Sequence, residues 1–107
     1  MRRYVIERNI PGIGERSLSE MRAATAQSNA GLDALAPDIQ WVESYITDKK
    51  TFCVYLAKNE KVIREHGKLT GFPVSKITEV RRVIDPTTST VWSKRDGKTR
   101  KKPGKRS

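Results

Sequence analysis

The sequence predicts an α+β fold, a two-layer sandwich of two helices over four antiparallel strands. Three observations carry this reading. Four short runs are rich in β-branched and aromatic residues, two longer runs place apolar residues at helical spacing, and breaker clusters separate them. The resulting order, β-α-β-β-α-β, is the ferredoxin-like arrangement, with both helices on one face of the sheet. At 107 residues the chain has room for one such core and not for two.

Tyr4 to Ile10 is the first strand, stopped by Pro11-Gly12-Ile13-Gly14. Ser17-Leu18-Ser19-Glu20 matches the capping box, in which the Ser side chain caps a backbone N–H and the Glu side chain returns to the Ser N–H. The first helix follows, with Met21, Ala24, Ser28, Leu32 and Leu35 on one stripe and Pro37-Asp38 as its exit. Ile39 to Thr47 and Thr51 to Ala57 are two strands of a hairpin joined through Asp48-Lys49-Lys50. Asn59 caps the second helix, Val62, Ile63, His66 and Leu69 form its apolar stripe, and Gly71 with Pro73 ends it. Ile77 to Ile84 is the fourth strand, closed by Asp85-Pro86. The domain therefore spans residues 1 to 90, and 91 to 107 form a basic tail without apolar periodicity, the composition of a disordered segment.

Alternation sorts the strand residues by face. Even positions (Ile6, Ile10, Val42, Ile46, Phe52, Val54, Leu56, Val80 and Ile84) are expected beneath the helices. Odd positions put Glu7, Glu43 and Glu79 on the other face with Trp41, Tyr45, Cys53, Tyr55 and Arg81. Three rings and a thiol are too apolar for a solvated face, and three carboxylates are too many for a core, so a second copy of the chain is expected to cover it.

Charge divides unevenly. Of the net +10, residues 94 to 107 hold +7, from eight basic residues against Asp96, which leaves +3 for residues 1 to 93. Lys94, Arg95, Lys98, Arg100, Lys101, Lys102, Lys105 and Arg106 are thus the candidate contacts to nucleic acid, through nonspecific attraction at low salt, with Trp92 as a stacking group at the start. No motif of a sequence-specific reader accompanies them. No apolar run approaches the roughly 18 residues of a membrane span and no secretory segment is visible, so a cytoplasmic location without membrane contact is expected. The single Cys53 excludes an internal disulfide, and with one histidine, His66, no zinc finger can be built from Cys and His in one chain.

The candidate metal ligands are His66, Cys53, Glu7, Glu79 and Glu43, a set of imidazole, thiolate and carboxylate donors suited to a divalent transition ion. Each also has a plain structural reading: a buried cysteine, a packed histidine, and glutamates paired to Arg81 or to water at a dimer interface. Trp41, Tyr45, Tyr55 and Arg81 are candidates to line a ligand pocket on the same face. No catalytic residue is indicated, because nothing activates Cys53 and no nucleotide loop, nucleophile elbow or organic-cofactor fingerprint occurs.

Several segments carry a family resemblance: Tyr4-Val5-Ile6-Glu7-Arg8 followed by Pro11-Gly12, Ile39-Gln40-Trp41-Val42, Thr51-Phe52-Cys53-Val54-Tyr55, Glu65-His66, Gly71-Phe72-Pro73 and Ile77-Thr78-Glu79-Val80. Over about residues 3 to 88 the chain resembles a family of small bacterial ferredoxin-like proteins, a domain of unknown function with a nickel-binding branch. The resemblance implies a domain that forms a homodimer of the dimeric α/β-barrel type, nickel or a similar divalent metal as cofactor, and no established reaction. The family motif touches Glu7, Cys53, His66 and Glu79. Three functions follow as expectations: a dimeric metal-binding protein, a dimeric α/β-barrel enzyme or small-ligand binder using the same sheet face, and a nucleic-acid-associated protein acting through its tail.

Overall fold

The computed structural model describes residues 1–89, so the basic residues of 94 to 107 and Trp92 lie outside the described residues. Four strands, β1 (Arg2–Asn9), β2 (Ile39–Ile46), β3 (Lys50–Ala57) and β4 (Lys76–Val80), form one antiparallel sheet in the order β2-β3-β1-β4. The helices α1 (Leu18–Leu35) and α2 (Glu60–Thr70) connect them, and a 3-10 turn covers Ile13–Glu15. This is the expected ferredoxin-like fold.

The helix ends are written locally. Ser17 Oγ accepts from the Glu20 N–H at 3.1 Å and the Ser17 N–H donates to Glu20 Oε1 at 2.9 Å, which completes the capping box. That backbone hydrogen bond also lowers the pKa of the Glu20 carboxyl. Asn59 Oδ1 accepts from the Val62 N–H at 3.0 Å, and α2 closes on Gly71 at φ 80°, a left-handed position that glycine adopts without strain. α1 and α2 pack closely because Gly31 has no side chain: a Cβ there would sit 2.9 Å from Thr70 Cγ2 and 3.1 Å from His66 Cδ2.

Two elements differ from expectation. β4 stops at Val80 instead of Ile84, where its ladder with β1 ends at the Arg3–Val80 pair. Arg81 therefore lies past the end of the strand, exposed, and Val83 and Ile84 are exposed too. On α2, Leu69 is 58% exposed, and Thr70 takes the inward place beside Val62, Ile63, His66 and Gly67.

The face assignment needs a larger correction. Directly opposed residues share a face, and an even residue of β1 faces an odd residue of β3: Tyr4 opposes Tyr55, Ile6 opposes Cys53 and Arg8 opposes Thr51. The helices therefore cover Tyr4, Ile6 and Arg8 but also Thr51, Cys53, Tyr55 and Ala57, all buried. Phe52, Val54, Leu56 and Val80, expected beneath the helices, lie on the other side. A β-bulge between Trp41 and Glu43 then shifts the phase of β2. Trp41 stays on the covered side opposite Tyr55, whereas Tyr45 opposes Phe52 on the open side.

Candidate functional site

The sheet divides the predicted site residues into two groups. On the helix-covered side are Trp41, Cys53 and Tyr55, with His66 packed on them from α2; the Tyr55 and His66 ring centroids are 5.6 Å apart. On the open side are Glu7, Glu43 and Tyr45. Glu79 opposes Tyr4 across the β1–β4 ladder, at the sheet edge, where its carboxylate pairs with Arg2 at 3.5 Å. The shared face expected for Glu7, Glu43, Glu79, Cys53 and Tyr55 does not form, since the register turns β3 over relative to β1. Arg81 joins neither group.

The covered side holds a partly open cavity of about 100 Å³ between α1 and the sheet. Met21, Ala24, Trp41 and Phe72 give it apolar walls, and Arg8, Ser28, Thr51, Cys53 and Tyr55 supply polar atoms. Arg8 is 2% exposed, yet its Nη1 donates to the Pro73 carbonyl at 3.0 Å and its Nη2 to Tyr55 Oη at 3.2 Å. The Tyr55 and Phe72 rings lie 6.0 and 5.9 Å from its guanidinium carbon, within cation–π range. The ion pairs among the described residues are Arg2–Glu79, Lys50–Glu7 and Arg64–Glu60, and none of them includes Arg8. Burial pushes the Tyr55 phenol up, opposed by the Arg8 charge, so the hydroxyl stays protonated around neutrality.

His66 is fully buried, and its Nε2 lies 3.1 Å from the Ser28 carbonyl, which assigns the ring proton to Nε2. Nδ1 then carries a free lone pair and has no partner among the described residues. Burial lowers the pKa of the ring, the Ser28 bond opposes that, and the Arg8 charge adds to it, so the imidazole is neutral at pH 7. A neutral ring held at its other nitrogen by a carbonyl is the state of a metal-ligating histidine. Among the described residues, however, no group of three His, Cys, Asp or Glu side chains converges to hold an ion. Cys53 is buried, and its Sγ contacts Thr51 Oγ1 at 3.6 Å.

The open side is apolar at its centre. Val5, Phe52, Val54, Leu56 and Val80 are only partly buried and Tyr45 is 55% exposed, with no helix above them. Glu7 pairs with Lys50 Nζ at 3.5 Å, and Glu43 accepts from the Tyr45 hydroxyl, a bond that pushes the Tyr45 phenol up.

Arg8 escaped the sequence reading, although a signal was present. It continues the inward alternation of Tyr4 and Ile6, and a cation on the apolar parity of a strand is rarely there for packing. Ser28 was assigned only to the stripe of α1. Its contact with His66 depends on where α2 crosses α1, which no local pattern reports.

The molecule is thus a small ferredoxin-like α+β domain with a partly open, polar-ended cavity on one side of its sheet and an uncovered apolar surface on the other. Residues 4–80 match the family described as nickel responsive protein SCO4226-like, and the chain belongs to that family. It is similar to the crystal structure of SCO4226 from Streptomyces coelicolor A3(2), with a TM-score of 0.64 over 77% of this chain and 99% of that one. At 9% identity that likeness speaks for the fold alone. No curated protein matches the chain in sequence. No helix among the described residues is long and apolar enough to cross a membrane.

Proposed function

We propose that this protein is a homodimeric metal-binding protein, in which two copies meet through their open sheet faces and a divalent ion such as nickel is held by carboxylates of the shared face. The observation that carries the reading is the open face itself. Val5, Phe52, Val54, Leu56 and Tyr45 form a contiguous apolar surface in which Glu7 and Glu43 are embedded. A second copy would remove the rings and aliphatic groups from water, and a two-fold axis would double the number of carboxylates at the face.

The metal is the part that rests on the family description, and the donor set fits it only across two chains. One protomer offers no cluster of three donors among the described residues. Glu7 and Glu43 from each of two copies, completed by water, give the oxygen-rich set that octahedral coordination favours. His66 and Cys53 are packed on the covered side and do not belong to this set. Bound there, the ion would supply a link between subunits whose strength follows metal supply, which is the chemistry of a sensor or buffer.

Equilibrium dialysis against nickel, with elemental analysis of the protein, tests the reading. Wild type should retain nickel, whereas Glu7→Gln and Glu43→Gln should each weaken retention at pH 7 without unfolding the chain. Equal retention in all three proteins would remove the metal from this face.

A further inference from the structure

We propose that the cavity between α1 and the covered face of the sheet is a binding site for a short-chain carboxylate, with the Arg8 guanidinium and the Tyr55 and Ser28 hydroxyls taking the anionic end. This inference is independent of the metal reading, since it uses the opposite side of the sheet.

The argument begins with an uncompensated charge. A guanidinium is always protonated and brings five N–H donors. Arg8 spends two of them, on the Pro73 carbonyl and on Tyr55 Oη, both neutral acceptors. With 2% exposure it has little water, and no carboxylate among the described residues pairs with it. A buried cation without an anion is costly unless something else supplies the negative charge. Two aromatic faces at about 6 Å and two hydrogen bonds hold the group in place, so the donors are fixed before any ligand arrives.

The surroundings set the ligand class. Tyr55 Oη accepts from Arg8 and shares a hydrogen bond with the Ser28 hydroxyl on the same cavity wall, so the pair keeps one hydroxyl proton to donate. One positive charge with unspent guanidinium N–H groups and one hydroxyl proton match a monoanion with two acceptor oxygens. They do not match a phosphate dianion, which calls for more cations or a cluster of backbone N–H groups. The opposite walls, Met21, Ala24, Trp41 and Phe72, are apolar and offer a bed for a hydrocarbon body. The pocket is partly open to solvent, and its volume of about 100 Å³, smaller than the roughly 150 Å³ cavity known to take benzene, suits a short aliphatic chain beside the charge. A propionate or butyrate fulfils all three conditions.

Heteronuclear NMR titration of the full chain with sodium butyrate tests the proposal, with sodium phosphate at equal ionic strength as the control. Butyrate should shift the Trp41 indole and the backbone signals of Arg8 and Ser28 saturably, and phosphate should not. Arg8→Met should weaken butyrate at least about tenfold, the loss expected when a charge-assisted pair disappears. Ala24→Leu should do the same by filling the cavity with the charge retained, and it decides the matter should Arg8→Met fail to fold. No saturable shift with butyrate, shifts that survive Ala24→Leu, or stronger binding of phosphate than of butyrate would each overturn the assignment.

Discussion

One sheet presents two faces that are almost equally apolar in sequence and entirely different in the fold. On the covered face Tyr4, Ile6, Cys53 and Tyr55 are buried under two helices, and the polar groups among them, Arg8, Thr51 and His66, are buried with them. On the open face Phe52, Val54 and Leu56 occupy the alternate positions of the same strand and are only partly buried by the protomer itself. The difference teaches that apolarity alone does not locate a core in a strand such as β3. The covered face is completed within one chain, and the open face is the one proposed to meet a second copy.

The largest expected effect separates the two faces directly. Ile6→Ala removes a fully buried side chain and should cost about 2–5 kcal/mol in thermal or denaturant unfolding, at any protein concentration. Leu56→Ala should show a penalty that depends on protein concentration under the proposed pairing of open faces. A Leu56→Ala penalty that does not change with concentration would place Leu56 in the protomer's own core and break the comparison.

Next in size is the cover itself. Ser17→Ala removes the N-cap of α1, the helix that roofs the cavity, and should cost about 1 kcal/mol in stability. Ser17→Thr should recover most of it.

The pH dependence is smaller and belongs to His66. Its folded-state pKa lies below the ordinary 6.5, so between the two values the unfolded chain binds the proton that the folded one refuses. Stability is therefore complete above pH 6.5 and falls as the pH drops below it. The melting temperature of the wild type should decline from pH 7 to pH 5, and His66→Gln should flatten that decline. The other lowered groups, Glu20 and Asp85, are carboxyls and titrate at lower pH. The smallest effect is expected from deleting residues 94 to 107, which takes away +7 of charge and should leave the melting temperature unchanged while reducing retention on DNA-cellulose at low salt.

Most of the fold was legible because its signals are local. The Ser17–Glu20 capping box, the Asn59 cap, the Gly71 terminator and the hairpin between β2 and β3 each act over a few residues. The candidate site was not legible, because it depends on register. Residues 51 to 57 read Thr-Phe-Cys-Val-Tyr-Leu-Ala, and either parity could face a core. Only the pairing of Ile6 with Cys53 decides between them, and the Trp41/Glu43 bulge shifts β2 again. An error of one residue moved Cys53, Tyr55 and Trp41 to the wrong side and assembled a ligand set that the fold separates. The end of β4 was hidden for a related reason: Ile84 has strand character, but the ladder with β1 ends at the Arg3–Val80 pair.

Sedimentation velocity on the wild type and on Val54→Asp tests most directly the claim that the open face is an interface. Val54 lies at the centre of that face, opposite Val5 on one side and Glu43 on the other. The account predicts that the wild type sediments as a dimer at tens of micromolar, roughly the range in which interfaces of standard size hold, and that Val54→Asp sediments as a folded monomer. A wild type that stays monomeric across that range, or a Val54→Asp variant that remains dimeric, would contradict it.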